Sequence, residues 1–198
     1  MRTANPLGKR QAILEATRQL LIKRSFQDFV LEDVAREAGV AKGTLFLYYK
    51  NKDELFSAAF TDLIDRLGRD LEAVRTSGKT GKDLLTETVR AILIHFDRNH
   101  DFMSNFGLGR FPACGAASSE KLIRRFQRNN ECLLEILRAC ERDGCLSLTD
   151  PSYDSFALFG LCRSAMVEKM VRDLQTPVES RVDRIVQIFL NGVCSQVK

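Results

Sequence analysis

The sequence predicts an all-α protein, and three observations carry that expectation. Apolar residues recur at three- and four-residue spacing along nearly the whole chain, no stretch alternates long enough to read as a strand, and glycine or proline punctuates the gaps between periodic segments. At 198 residues, with 44% apolar and 28% charged side chains, the composition is that of a globular protein able to bury a core. About nine helices are expected, divided into a head over residues 1–52 and a body over residues 53–198.

Taken in order, Ile13, Leu14, Thr17, Leu20 and Leu21 stripe the first helix. A second is expected over residues 31–38 and a third over residues 42–49. The long fourth shows Leu55, Phe56, Ala59, Phe60, Leu63, Ile64, Leu67, Leu71 and Val74 on one face and ends near Ser77 and Gly78. Leu84, Leu85, Thr88, Val89, Ile92 and Phe96 mark the fifth, and a short apolar segment follows Asn99. Residues 107–119, with three glycines and Pro112, read as the longest irregular stretch. The next helix carries Leu122, Ile123, Phe126, Leu133, Leu137 and Cys140 and stops at Gly144. Asp150-Pro151 and Thr176-Pro177 are start signals for the last two, because a polar cap followed by proline suits a first helical turn.

Charge is unevenly spread. Residues 1–52 hold ten basic and five acidic side chains, while the rest of the chain holds 20 and 21. A basic head on a near-neutral body points to a polyanionic partner, with a membrane surface as the alternative. Residues 31–48 have the pattern of a DNA-reading helix-turn-helix: Val34, Ala38, Val40 and Leu45 inward, Ala35 small where helices cross, and Gly39 suited to a left-handed turn. The third helix opens on Lys42, Gly43 and Thr44, where free backbone N–H groups favour phosphate. Phe46 and Tyr49 are the expected aromatic core of this head.

Residues 33–55 (DVAREAGVAKGTLFLYYKNKDEL) resemble the signature of the tetracycline-repressor (TetR/AcrR) family of transcription regulators, with a specific match over about residues 8–56. The resemblance implies a dimer whose body binds a small molecule and whose heads bind operator DNA. It places Lys42, Gly43, Thr44, Leu47, Tyr48 and Lys52 at the DNA. The Thr44 and Tyr48 hydroxyls and Lys52 would meet phosphates, with Lys42, Gly43 and Leu47 near base edges. Two positions depart from the family pattern. Phe29-Val30 stand where paired threonines are common, leaving Asp28 as a candidate displaced cap, and Leu47 replaces a residue that is often polar.

In the resembled fold the helices around an effector cavity would bring together His95, Phe96, Phe102, Met103, Phe106, Arg110, Phe111, Phe126, Phe156 and Phe159. That set suggests an apolar or aromatic effector, with His95, Asn99, Asn105 and Arg110 as polar orienters. Residues 107–119 are then a candidate gate, with Cys114 a candidate thiol sensor. The last two helices are apolar on more than one face, which predicts burial against a second subunit through Phe156, Gly160, Arg163, Val167, Ile185, Ile188 and Phe189, the competing reading being a monomer with these helices wholly interior. Arg163 and Glu168 read as an interface ion pair or as rim charges.

No catalytic, cofactor or metal pattern is present: the two histidines, His95 and His100, form no ligand pair, and no nucleophile elbow, phosphate loop or dinucleotide fingerprint occurs. An enzyme is therefore not expected. The six cysteines sit mostly at apolar helical positions and read as reduced core thiols, the closest pair being Cys140 and Cys145. With no signal-peptide pattern and no long apolar run, a cytoplasmic protein without membrane contact is expected. The alternative to a DNA-binding regulator is a helical small-molecule or protein adaptor whose helix-turn-helix no longer reads DNA.

Overall fold

The structure, a computed structural model, describes residues 6–23, 28, 30–100, 102, 116–172 and 175–193. Among them are eight α-helices and no strand: α1 (Pro6–Lys23), α2 (Leu31–Glu37), α3 (Lys42–Tyr48), α4 (Lys52–Arg75), α5 (Gly81–Arg98), α6 (Ala116–Arg142), α7 (Pro151–Val171) and α8 (Val182–Val193). A 3₁₀ turn, Val178–Arg181, leads into α8. The all-α expectation holds. The chain forms two compact units, residues 1–63 with 101–123, and residues 64–100 with 124–198.

In the first unit α1 packs on α2 and α2 on α3. The side chains that hold them are those with helical spacing in the sequence: Ile13, Leu14, Thr17 and Leu21 from α1, Val34 and Ala35 from α2, and Leu45 from α3 are all buried. Ala38 and Val40, expected inward, are half-buried at the turn. The first half of α4 adds Leu55, Phe56, Ala59, Phe60 and Leu63, and the Phe56 ring stacks on Phe102 at 6.1 Å between centroids.

The turn between α2 and α3 depends on Gly39, whose φ of 63° lies in the left-handed region. A Cβ there would meet nothing within 4 Å, so the cost of adding one is backbone strain alone. Gly39→Ala is therefore expected to lower stability by about 1–2 kcal/mol, with Gly39→Asn closer to the native protein because asparagine tolerates that region. Urea unfolding of the three proteins checks this; an alanine variant as stable as the native chain would contradict it.

In the second unit α5 packs against α7, α8 and the 3₁₀ turn, and α7 packs on α8. Leu84, Leu85, Val89, Ile92, Leu93 and Phe96 from α5 meet a core that includes Leu158, Cys162, Ile185 and Phe189. Asp150 caps α7, its carboxylate accepting the Tyr153 N–H at 3.1 Å, with Pro151 in the first turn. That is the start signal the sequence carries. The second half of α4 and α6 are tied by polar contacts: Asn129 Nδ2 donates to the Ile64 carbonyl at 2.8 Å, and Arg125 Nε donates to Asp65 at 2.9 Å.

Two expectations are corrected. The helix expected from Leu122 begins at Ala116, so residues 116–119 are helical and not part of an irregular stretch. Their sequence, Ala-Ala-Ser-Ser, favours or tolerates helix without supplying an apolar stripe to reveal it. Second, Phe46 is 40% exposed and not core. α3 has seven residues and Leu45 is its buried one, so the next side chain, turned by about 100°, faces out. Within the chain, Glu168 pairs with Arg181 and Arg172, at 2.9 and 3.0 Å. Chain folding at Pro177 brings Arg181 back over α7, while Arg163 stays exposed.

Candidate nucleic-acid interface

α3 is short, and one buried residue anchors it. Leu45 is fully buried, and Tyr49, 5% exposed, closes the helix from below. Burial pushes the Tyr49 phenol above its ordinary value, with the Arg10 charge acting against the shift, so the ring stays neutral. With Leu45 pinned inward, the opposite face of α3 is solvent-facing: Lys42 and Gly43 are exposed, Leu47 is 86% exposed, and Thr44 and Tyr48 are half-buried beside it. The Tyr48 and Tyr49 rings lie 6.4 Å apart and tilted by 36°. Lys52, the first residue of α4, is half-buried. The side chains that sequence reasoning assigned to DNA thus fall on the outward face and the following turn of one helix-turn-helix.

Two features of this surface were not read from the sequence. Lys42 Nζ lies 2.5 Å from Glu32 Oε1 and 5.9 Å from the centre of the Phe46 ring. The hydrogen bond from Lys42 holds the Glu32 carboxyl below its ordinary value. Its contribution is present above the ordinary glutamate range and fades as pH falls through the lowered value. The first basic residue of α3 is therefore both solvent-exposed and paired with a carboxylate of α2. The second feature is the entry to α4. Asn51 Oδ1 accepts the Glu54 N–H at 2.8 Å, and Glu54 Oε2 accepts the Lys50 N–H at 2.8 Å. This reciprocal arrangement resembles a capping box and fixes the backbone that carries Lys50 and Lys52. Asparagine followed three residues later by glutamate was the available signal.

α2 begins without such help. Its cap position falls on Val30, not Asp28, and no side chain caps it. Two basic residues counted in the head are engaged along their own helices, Arg18 with Glu15 and Arg36 with Asp33.

Of the residues assigned to an effector, His95, Phe96, Phe102, Phe126 and Phe159 are among the described residues. His95 is buried, its Nδ1 3.4 Å from Asp70 Oδ2, and its backbone carbonyl accepts from Asn99 at 2.7 Å. Phe96 is buried and meets half-buried Phe159 edge to face at 5.6 Å. Phe126 is half-buried on α6, and Phe102 packs in the first unit. Met103, Asn105, Phe106, Arg110, Phe111 and Cys114 lie outside the described residues. Clefts lined by described residues include one of about 180 Å³ beside Glu168, Lys169 and Arg181, and one of about 490 Å³ beside Asp65, Gly68, Arg125 and Asn129. Neither is lined by an assigned effector residue.

The assigned subunit contacts divide by exposure. Phe156 is 57% and Ile188 39% exposed, and Gly160 and Arg163 are also exposed. Val167 is half-buried, whereas Ile185 and Phe189 are buried in the second unit's own core. Among the described residues no group of three or more metal-ligating side chains occurs, and no helix is long and apolar enough to cross a membrane.

An all-helical chain with a helix-turn-helix that presents Lys42, Gly43 and Leu47 outward defines a transcriptional regulator of the helix-turn-helix class. The comparisons with known proteins narrow the class. Residues 13–59 match the model for bacterial regulatory proteins of the tetR family. The chain is 36% identical over 192 residues to YvkB of Bacillus subtilis (strain 168), an HTH-type transcriptional regulator, covering 95% of this chain and 97% of that protein. Among solved structures, FadR from Bacillus subtilis in complex with stearoyl-CoA superposes with a TM-score of 0.77 at 17% identity, over 92% of this chain and 98% of that one. The TetR-family regulator PfmR from Thermus thermophilus superposes with a TM-score of 0.73 at 19% identity, over 92% and 99%. The chain belongs to the tetR family of transcriptional regulators, and it is not an enzyme.

Proposed function

We propose that the protein is a dimeric, ligand-responsive repressor that leaves a palindromic operator when a small apolar or aromatic effector binds. Residues 1–52 read DNA, and residues 53–198 sense and dimerise. The observation that carries this reading is the outward face of α3, where Leu47 is 86% exposed directly after the fully buried Leu45 and the half-exposed Phe46. A large aliphatic side chain left this open gains nothing for the fold, and it suits contact with a thymine methyl in the major groove. Lys42 and Gly43 beside it would reach base edges, while Thr44, Tyr48 and Lys52 would hold phosphates.

Dimerisation is supported by the exposed Phe156, with Tyr153 69% exposed one turn before it on α7 and Ile188 on α8. Gly160, one turn beyond Phe156, adds a place where a partner helix could approach closely. For the effector, the edge-to-face Phe96–Phe159 pair and Phe126 favour an apolar or aromatic group. The structural neighbour FadR is described with stearoyl-CoA, whose chain is of the same apolar character. A regulator of this kind works in the cytoplasm, where its DNA is.

Selection of binding sites from random duplex DNA tests the reading. The expected product is an enriched palindrome with half-sites one helical turn apart, about 34–36 Å. Repeated failure to enrich any sequence would favour an adaptor that has lost DNA reading.

A further inference from the structure

We propose that Cys140 and Cys145 form a redox-reactive dithiol, which a two-electron oxidant such as hydrogen peroxide converts to an intrachain disulfide across the C-terminal turn of α6.

The backbone brings the two residues together. The Cys145 N–H donates to the Cys140 carbonyl at 3.1 Å, and the Gly144 N–H donates to the Glu141 carbonyl at 2.9 Å. Gly144 has φ of 72°, in the left-handed region. Those two bonds and that glycine make a Schellman motif, in which the side chains at the first and last positions touch. Both of those positions are cysteines here, and the two thiols are within hydrogen-bonding reach of each other. Both are free thiols. A pair held this close needs little backbone movement to be bridged.

Their surroundings assign different roles. Cys140 is fully buried, and burial is the main cause that pushes its thiol up to about 12. Cys145 is half-buried and reachable from solvent. The Cys145 thiolate therefore attacks peroxide first, forming an S–O bond and breaking the O–O bond, with hydroxide released. The Cys140 sulfur then attacks the Cys145 sulfur. An S–S bond forms, the S–O bond breaks, and the departing hydroxide takes the Cys140 proton as water. Two thiols and one peroxide thus give one disulfide and two waters. The other described cysteines are poorer candidates: Cys162 is fully buried, and burial with the nearby Glu72 carboxylate pushes Cys132 up to about 11.

The turn is also a docking point. Asp143 Oδ2 accepts the Gly81 N–H at 2.8 Å, and a Cβ at Gly81 would lie 3.8 Å from those of Asp143 and Cys145. A disulfide would lock the turn against which α5 begins.

The test treats the full chain with hydrogen peroxide, blocks free thiols by alkylation and maps tryptic peptides. Cleavage after Arg142 separates the two cysteines, so the disulfide is seen as peptide 139–142 linked to peptide 143–163, with fragment ions separating Cys145 from Cys162. The expected result is that link, reversed by dithiothreitol, with both thiols lost to alkylation. Cys140→Ser should leave a sulfenic acid at Cys145 that dimedone traps, and Cys145→Ser should leave Cys140 alkylatable once the protein is denatured. Alkylation of both cysteines after peroxide treatment, or links from either of them to other cysteines, would overturn the proposal. So would oxidation of Cys140 in the Cys145→Ser variant.

Discussion

Leu45→Ala is expected to lower the stability of the protein by about 2–5 kcal/mol, the range for removing a buried leucine side chain and leaving a cavity. The size follows from the length of α3. Seven residues cannot hold a helix in water by propensity, so its stability comes from packing, and Leu45 is its buried residue. The neighbour two positions on gives the contrast. Leu47→Ala, at 86% exposure, should change stability by no more than about 0.5 kcal/mol, yet it removes the apolar contact proposed for the major groove. Unfolding midpoints and operator affinities measured on both variants separate the roles. Leu45→Ala should lose DNA binding together with stability, and Leu47→Ala should lose only discrimination among operator sequences. Equal destabilisation by the two would mean that the face assignment of α3 is wrong.

The second large effect concerns the assigned subunit contacts. Phe189 is fully buried in the second unit, so Phe189→Ala is expected to cost about 3–5 kcal/mol in chain stability. Phe156, 57% exposed on α7, should contribute little to the chain alone. Phe156→Ala is expected to leave the unfolding curve of the dilute protein nearly unchanged and to shift the monomer–dimer balance toward monomer in sedimentation experiments. A Phe156→Ala protein that dimerises as the native chain does would remove α7 from the proposed interface.

Much of the fold was legible because the buried side chains are those with helical spacing. Ile13, Leu14 and Leu21, the α4 stripe and the α5 stripe all point inward as the periodicity requires. Gly39 and Asp150-Pro151 were legible for another reason: each occupies a backbone position that few other residues suit. What escaped was information that no local pattern holds. The start of α6 at Ala116 carries no apolar stripe. Phe46 was assigned inward by its aromaticity, although a seven-residue helix offers too little inward surface for both it and Leu45. Ile185 and Phe189 were assigned to a partner subunit, but periodicity cannot say which of several apolar faces the chain covers itself. The Lys42–Glu32 pair and the contact between Cys140 and Cys145 depend on how two turns close.

Part of the head's basic charge is engaged within the chain. The ten basic residues of the head suggested a polyanion, but Arg18 and Arg36 are paired within their own helices and Lys42 is paired with Glu32. The number of phosphate contacts should therefore be well below that basic count, and Lys52, set by the capped start of α4, is proposed as one of them.

The face around α3 and the start of α4 is expected to bind operator DNA partly by displacing counterions. The most direct measurement is the affinity for the selected operator as a function of salt, for the native chain and for Lys52→Ala. The native affinity should fall steeply and linearly on logarithmic axes, and Lys52→Ala should weaken binding at every sequence while reducing the slope by about one per subunit. Binding that is indifferent both to salt and to Lys52 would contradict the account.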